Sequence, residues 1–294
     1  MEVLNLRLRF WHLILLAIIS SVFALGFRIS PGTILLYDAP VGKPYDFAME
    51  RNQTIRIGPV EGEITYELHS EKPSMGNSSA TGYFDFPEPI WFSFGAETIT
   101  VEAGKISEIP MWLNIPMDEG LYNHNWLLGI PVTPIAVAKG ATQIQVGGYL
   151  QFRIETQAKE NVIPKCGLNE IVAVPSKLAF ENMQPGIERV EVATLFHEKL
   201  NSSLYTVERL DPSSDVAKLT ILGSPSYPRL TNPEWIEYPK EIVIPGSDEG
   251  GGPLPITLKI PADAQVRRFE EILLIKSNKT KTAFLRVLVD IEQF

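Results

Sequence analysis

The chain has one cysteine among its 294 residues, Cys166, and only four histidines. A single thiol excludes an internal disulfide and a multi-cysteine zinc site, and so few imidazoles leave little to ligate any other metal. Basic residues are the minority, 26 Lys+Arg against 35 Asp+Glu, for a net charge of −9. A chain of that sign lacks the basic face that meets nucleic-acid phosphates or anionic lipid. Beyond residue 26 there is no second long apolar run. No segment sustains the 3.6-residue period of an amphipathic helix, and Ala262–Glu271 has room for a single helical turn. The signatures of nucleophilic and metal-assisted hydrolysis are missing as well. There is no Gly-x-Ser-x-Gly elbow, no His-Glu-x-x-His, and no Ser-x-x-Lys in a convincing context. No catalytic residue, cofactor or metal is expected, and the chain reads as a non-enzyme.

What is present suits a chain of short strands. Hydrophobic residues make up 45% and charged residues 21%, enough for a core, with 23 prolines and 21 glycines as punctuation. At the start, Arg7 and Arg9 precede an uncharged apolar stretch from Phe10 to Gly26. Val22-Phe23-Ala24 and Ala24-Leu25-Gly26 both suit the last three positions before a signal-peptidase cut. Residues 1–26 are therefore expected to be a secretory signal peptide or, alternatively, an uncleaved N-terminal membrane anchor. Either reading makes the rest extracytoplasmic: secreted, periplasmic or at the cell surface. No cysteine follows the apolar run, so a lipoprotein is not expected. Asn52, Asn77, Asn201 and Asn278 head Asn-x-Ser/Thr sequons and are candidate glycosylation sites in a host with that machinery.

The most informative feature is an internal repeat. Pro31 and Pro175, Gly42 and Gly186, and Trp91 and Trp235 are each 144 residues apart, and Ile115-Pro116 recurs as Ile260-Pro261 at 145. WFSFGAETITV parallels WIEYPKEIVIP, with a glutamate six residues after each tryptophan. The repeat predicts two similar domains, 27–157 and 166–294, joined by a polar linker over 158–165. Alternation of period two dominates both, as in Ile64, Tyr66, Leu68 and in Leu285, Val287, Val289, Ile291. Successive side chains of a strand point to opposite faces, so these segments bury one face and wet the other. The expected fold is all-β: two tandem immunoglobulin-like antiparallel β-sandwiches after an N-terminal signal or anchor helix.

Each copy opens with a proline-containing strand, has a glycine some eleven residues on, and later runs through an alternating strand into Ile-Pro. The first copy's ITVEAGKISEIPMWLNIPMDEGLYNHNWLLGIPV resembles the immunoglobulin-like modules of prokaryotic envelope proteins. The cell-surface proteins that interact with WxL-domain proteins are one such family, and the periplasmic pilus chaperones are another. The second resemblance implies action on a partner through an edge strand, with an arginine and a lysine in the interdomain cleft to grip a chain terminus. No such pair is assignable here, and no functional residue is carried over.

Among candidate sites, the histidines His69, His124 and His197 are too scattered to suggest a metal. Cys166, in the linker region, has no neighbouring histidine. The acidic pairs Asp118-Glu119, Asp248-Glu249 and Glu270-Glu271 are expected in turns or at strand edges as solvated charge. Aromatics give the best binding candidates. Trp112 lies on the opposite face from Ile109, Met111, Leu113 and Ile115, and Trp112, Tyr122 and Trp126 are possible stacking platforms for a sugar or anchors in an interface. The bland alternative for Trp112 is cover by a loop such as Ser70–Gly82. Trp91 and Trp235 recur at one place in both copies and are assigned to the core. Residues 27–157 carry 8 bases and 15 acids, and residues 158–294 carry 16 and 19, so the first copy is the more acidic.

The expected function is that of a non-catalytic exported cell-envelope protein, a structural or adhesive module that binds another envelope protein or a surface polysaccharide. A periplasmic chaperone acting by edge-strand donation and a carbohydrate-binding accessory protein are the alternatives. No nucleic-acid partner is expected, and membrane contact only through an uncleaved N-terminal segment.

Overall fold

The computed structural model describes residues 28–75, 79–137, 147–219, 221–224, 226–277 and 280–292. The N-terminal segment 1–26, Asn77 and Asn278 lie outside the described residues. Among those described, the protein is all-β, with 21 strands and two five-residue helices, and no helix is long and apolar enough to cross a membrane.

The first half opens with β1 (Ile29–Ser30) and β2 (Thr33–Ala39), and its two long strands come last, β11 (Asn125–Val137) and β12 (Gly148–Thr156). With β5 (Ile64–Leu68) and β8 (Thr98–Val101) they form a sheet in the order β2-β12-β11-β5-β8. The short β6 (Phe84–Asp85) also pairs with β11. The second half has β13 (Ile171–Val174), β14 (Lys177–Met183), β15 (Glu188–His197), β16 (Ser203–Arg209), β17 (Ile236–Glu237), β18 (Glu241–Ile244), β19 (Gly252–Lys259), β20 (Arg268–Ser277) and β21 (Thr280–Ile291). Its larger sheet runs β14-β21-β20-β16-β18, the same order as its counterpart, and the other runs β13-β15-β19-β17.

In the first half the smaller sheet is broken into two three-stranded pieces. One is β1-β4-β9, with β4 (Ile55–Ile57) and β9 (Ser107–Ile109). The other is β3-β10-β7, with β3 (Tyr45–Asp46), β10 (Met111–Leu113) and β7 (Phe92–Phe94). The breaks have local causes. Helix α1 (Phe47–Arg51) is inserted between β3 and β4, started by Asp46, whose carboxylate accepts from the Ala48 and Met49 N–H groups. Pro110 separates β9 from β10 and has no N–H for the ladder. The second helix, α2 (Asp215–Leu219), is as short. Neither helix is long enough to show a helical period in the sequence.

The repeated landmarks have repeated structural roles. Gly42 and Gly186 sit at φ of 77° and 83°, and their N–H groups donate to Ile115 O and Ile260 O at 2.9 and 2.8 Å. Positive φ is costly for any residue with a Cβ, which explains glycine at both places. Pro89–Trp91 and Pro233–Trp235 are matching 3₁₀ turns, each closed by the tryptophan N–H and followed at once by a strand.

The expectation of purely antiparallel sheets needs correction. β2 lies parallel to β12 and β14 parallel to β21. The cause is the proline in each opening strand. Pro31 and Pro175 cannot donate to a ladder. At these points the chain leaves the smaller sheet, where β1 and β13 pair antiparallel, and joins the larger one beside its last strand, running in the same direction. Cores form where the sheets of each half face one another. Ile34, Leu36, Phe47, Tyr66, Phe152 and Ile154 are buried in the first, and Phe180, Tyr205, Ile256, Phe269 and Val289 in the second.

Candidate binding cleft and the charged junction

The two halves meet over an apolar patch and a set of buried ions. Ala80, Tyr83 and Leu127 from the first half pack with Leu210, Ile221, Ile272, Leu274 and Phe284 from the second. The Tyr83 and Phe284 rings meet edge to face, centroids 5.4 Å apart. Beside this patch the Arg286 guanidinium, fully buried on β21, donates to Glu155 of β12 (Nε to Oε2, 2.8 Å), to Glu270 of β20, and to the Leu222 carbonyl at 2.8 Å. Tyr83 O–H donates to Glu155 Oε1 at 2.8 Å. Arg209 pairs with Glu271, and Lys177 with Asp38. Burial alone would raise the Glu155 carboxyl, but Arg286 outweighs it and holds Glu155 below the ordinary carboxylate range. Desolvation likewise pulls Arg286 down, and Glu155 and Glu270 more than reverse it. Glu271 goes the other way, because burial raises it more than Arg209 lowers it. The sequence expectation that Glu270-Glu271 is solvated edge charge is therefore overturned. Both are fully buried on β20: Glu270 is enclosed by Arg286 and the Ser224 N–H, and Glu271, on the opposite face of the strand, is covered by Arg209, which also donates to the Leu230 carbonyl.

A second lock joins the first half to the chain entering the second. His124, 1% exposed, stacks on Trp126 with centroids 4.5 Å apart. Its Nδ1 is 2.7 Å from Glu170 Oε1 and its Nε2 is 2.8 Å from the Gly120 carbonyl. Glu170 also accepts from the Gly167 N–H at 2.6 Å. Asn123 ties down the same region, donating to Lys159 O and accepting from the Lys159 and Ser176 N–H groups. Lys165, next in the connecting chain, pairs with Asp118.

Above this lock lies a cleft of about 590 Å³, walled by the first half on one side and by residues 165–170 on the other. Phe84, Trp91 and Trp126 form its aromatic floor, with Pro87, Pro116 and Leu168 at its sides. Trp91 is half-buried, and Trp126 lies beneath it, edge-on to Phe86. Six charged side chains line the cleft: Lys72, Asp85, Glu88, Asp118, Lys165 and Glu170. Among the described residues no cluster of His, Cys, Asp and Glu could hold a metal ion.

The candidate residues from the sequence do not share one surface. Trp126 is 2% exposed and forms part of the cleft floor rather than a free platform. Trp112 is half-buried. It is held by Asp46, whose Oδ2 accepts from Nε1 at 2.9 Å. Tyr122 packs against the first core with Lys159 5.0 Å above its ring. Trp91, assigned to the core, reaches the cleft, and Trp235 is buried. Asn52 and Asn201 are exposed, Asn52 as the left-handed cap of α1. Asp118 is not a loose turn charge but caps Gly120 and binds Lys165. His69 is exposed beside Glu71, and His197 bridges Tyr205 O–H and the Pro245 carbonyl. Cys166 lies half-buried against the cluster of Val162, Val172 and Val174, and burial pushes its thiol up to about 12.

No family model and no curated protein matches the chain. Solved structures similar to it include the class 5 fimbriae chaperone CfaA (9% identity, 90% of this chain and 99% of that one, TM-score 0.32). Another is the E. coli chaperone DraB (8% identity, 89% and 98%, TM-score 0.30). A third is the sialic acid binding region of a Streptococcus sanguinis SK1 adhesin (9% identity, 92% and 78%, TM-score 0.26). At these scores no residue role is carried across.

Proposed function

We propose that this is a non-catalytic, exported cell-envelope protein, a structural or adhesive module that binds a protein or polysaccharide partner at the cleft between the first half and the connecting chain. One observation carries the reading: an aromatic-floored concavity built over a junction that buried ion pairs hold in one arrangement. Binding sites of this kind combine apolar walls with a few fixed polar groups. Holding both walls in place before a partner arrives lowers the ordering cost of association. Of the acids lining the cleft, Asp118, Glu170 and Asp85 are engaged in caps, ion pairs or hydrogen bonds, which suits holding a ligand more than turning one over.

The edge-strand chaperone reading stands second. It needs an arginine and a lysine free to grip a chain terminus, and at the junction Arg286 and Lys177 are each already bound to carboxylates. The test of the leading reading is retention of envelope components on the immobilised full chain, compared with a Leu168→Asp variant. Leu168 is 83% exposed on the cleft wall, so the change leaves the fold intact. Specific retention lost in the variant is the expected result. Retention indifferent to the variant would remove the cleft from the account.

A further inference from the structure

The charges of the cleft sort into two groups. Asp118 is paired with Lys165, Glu170 is hydrogen-bonded to His124 and to the Gly167 N–H, and Asp85 accepts from Ser74. Among the described residues, Lys72 and Glu88 are the charged side chains of the cleft that make no hydrogen bond or ion pair. They stand on neighbouring segments, since Ser70 O–H donates to the Pro89 carbonyl at 2.8 Å and the Ser74 N–H to Asp85 at 3.3 Å. Glu88 immediately precedes the turn that carries Trp91. The open cleft thus offers one uncommitted donor, one uncommitted acceptor and the exposed part of an indole.

We infer that the cleft takes a neutral, hydroxyl-rich pyranose ring, part of an uncharged surface polysaccharide, stacked on Trp91 and hydrogen-bonded to both Glu88 and Lys72. This rests on the cleft being the binding site. A sugar ring has an apolar C–H face for an aromatic platform and a rim of hydroxyls that both donate and accept. Glu88, as a carboxylate, only accepts, and Lys72, as an ammonium, only donates. A hydroxyl rim satisfies both at once. An anionic sugar would meet Glu88, and a cationic side chain would meet Lys72, each as a like charge, whereas a neutral ligand leaves the two opposite charges balanced. The volume of about 590 Å³ falls within the range of sites for small molecules.

The experiment is calorimetric titration of the full chain with neutral oligosaccharides of glucose, galactose, mannose and N-acetylglucosamine. The comparison set is a sialylated oligosaccharide, a chitosan oligomer and a proline-rich peptide. Binding of at least one neutral series is expected, weakened about tenfold or more by Glu88→Gln and by Lys72→Met, since a hydrogen bond to a charged group is worth about that in affinity. Trp91→Phe, which keeps a smaller ring against Phe86, is expected to weaken the same series. Thermal unfolding of each variant shows whether the fold is kept, and Glu88, being exposed, provides the variant least able to disturb it. If the peptide or a charged sugar binds in a Glu88- or Lys72-dependent way while the neutral series does not, the ligand class is wrong and the cleft stands. If a neutral sugar binds with affinity unchanged in all three variants, the cleft itself is wrong. Failure of every probe overturns the sugar inference, and retention on the Leu168→Asp comparison then decides the cleft separately.

Discussion

Arg286 of β21 and Glu155 of β12 occupy the last strands of the two halves, and they form a fully buried ion pair, Nε to Oε2 at 2.8 Å, across the junction. A second carboxylate, Glu270, and the Tyr83 hydroxyl complete the group. Desolvating two charges costs about as much as their attraction returns, so such a pair contributes little net stability. Removing one member, however, strands the other without water or partner. Arg286→Met is expected to destabilise the protein by about 3–5 kcal/mol, because buried Glu155 loses its ion-pair partner and Glu270 is left with only Arg229 at 3.9 Å. Replacing all three, as Arg286→Met with Glu155→Gln and Glu270→Gln, is expected to recover much of that loss. Urea unfolding of the single and triple variants checks this, and a mild single variant would show that the junction is wetter than the packing indicates.

Gly82 tests the apolar side of the same junction. It sits at φ of 86°, and a Cβ there would collide with the Phe284 ring and approach Ile221 Cδ1 at 2.9 Å, both in the opposite half. Gly82→Ala is expected to cost about 1–3 kcal/mol from backbone strain and overpacking together. Because the clash lies between the halves, proteolysis of the connecting chain near 158–170 should speed up in this variant before either core unfolds. Unchanged proteolysis at equal stability would place the strain elsewhere.

Alternation puts Leu285, Val287 and Val289 on one face, and they are buried in a core. The same rule puts Arg286 toward water, because a period of two says which face a residue takes but not what covers that face. A fainter signal was present. Arg286 is the one charge in AFLRVLV, and Glu270-Glu271 are followed by ILLI, runs that suit a strand buried on both faces. The landmark glycines, prolines and tryptophans were legible because their roles are set by local backbone geometry. The parallel placement of β2 and β14 was not, since strand direction leaves no mark on composition. The cleft was legible only in part. Trp126 and Trp91 were visible as aromatics, but the wall at 165–170 depends on how the connecting chain folds back, and no periodicity encodes that.

Acid should destabilise the protein in two steps. Burial lowers His197 below its ordinary value of 6.5, so on acidification the unfolded chain takes up the proton first. Stability is therefore full above about 6.5 and falls as pH drops from there toward the folded value. Glu155 is also held below its ordinary value of 4.5, and its contribution, present above that pH, is lost as pH falls through it. Glu271, raised by burial, acts in the opposite sense and at higher pH: its folded form takes up the proton first, so it adds stability as pH falls toward 4.5, before the Glu155 loss begins. Urea midpoints measured from pH 8 to pH 3 should show both declines. His197→Gln should flatten the first and leave the second, and Glu155→Gln the reverse. A first decline that persists in His197→Gln would assign it to another group.

Cys166 sets the last expectation. An odd cysteine in an exported chain invites the idea of a disulfide to another molecule. Here the thiol packs against Val162, Val172 and Val174, with Glu170 and Glu198 near enough to add to the effect of burial, and its pKa is pushed up to about 12. The thiolate is the reactive form, so at pH 8 its population is lower than that of an ordinary thiol by about two to three orders of magnitude. Iodoacetamide should label native protein that much more slowly than the urea-unfolded chain, and non-reducing gels of air-oxidised native protein should show no crosslinked dimer. Rapid labelling of the native state would mean that the chain around 162–170 opens readily, and the cleft wall built from it would open too.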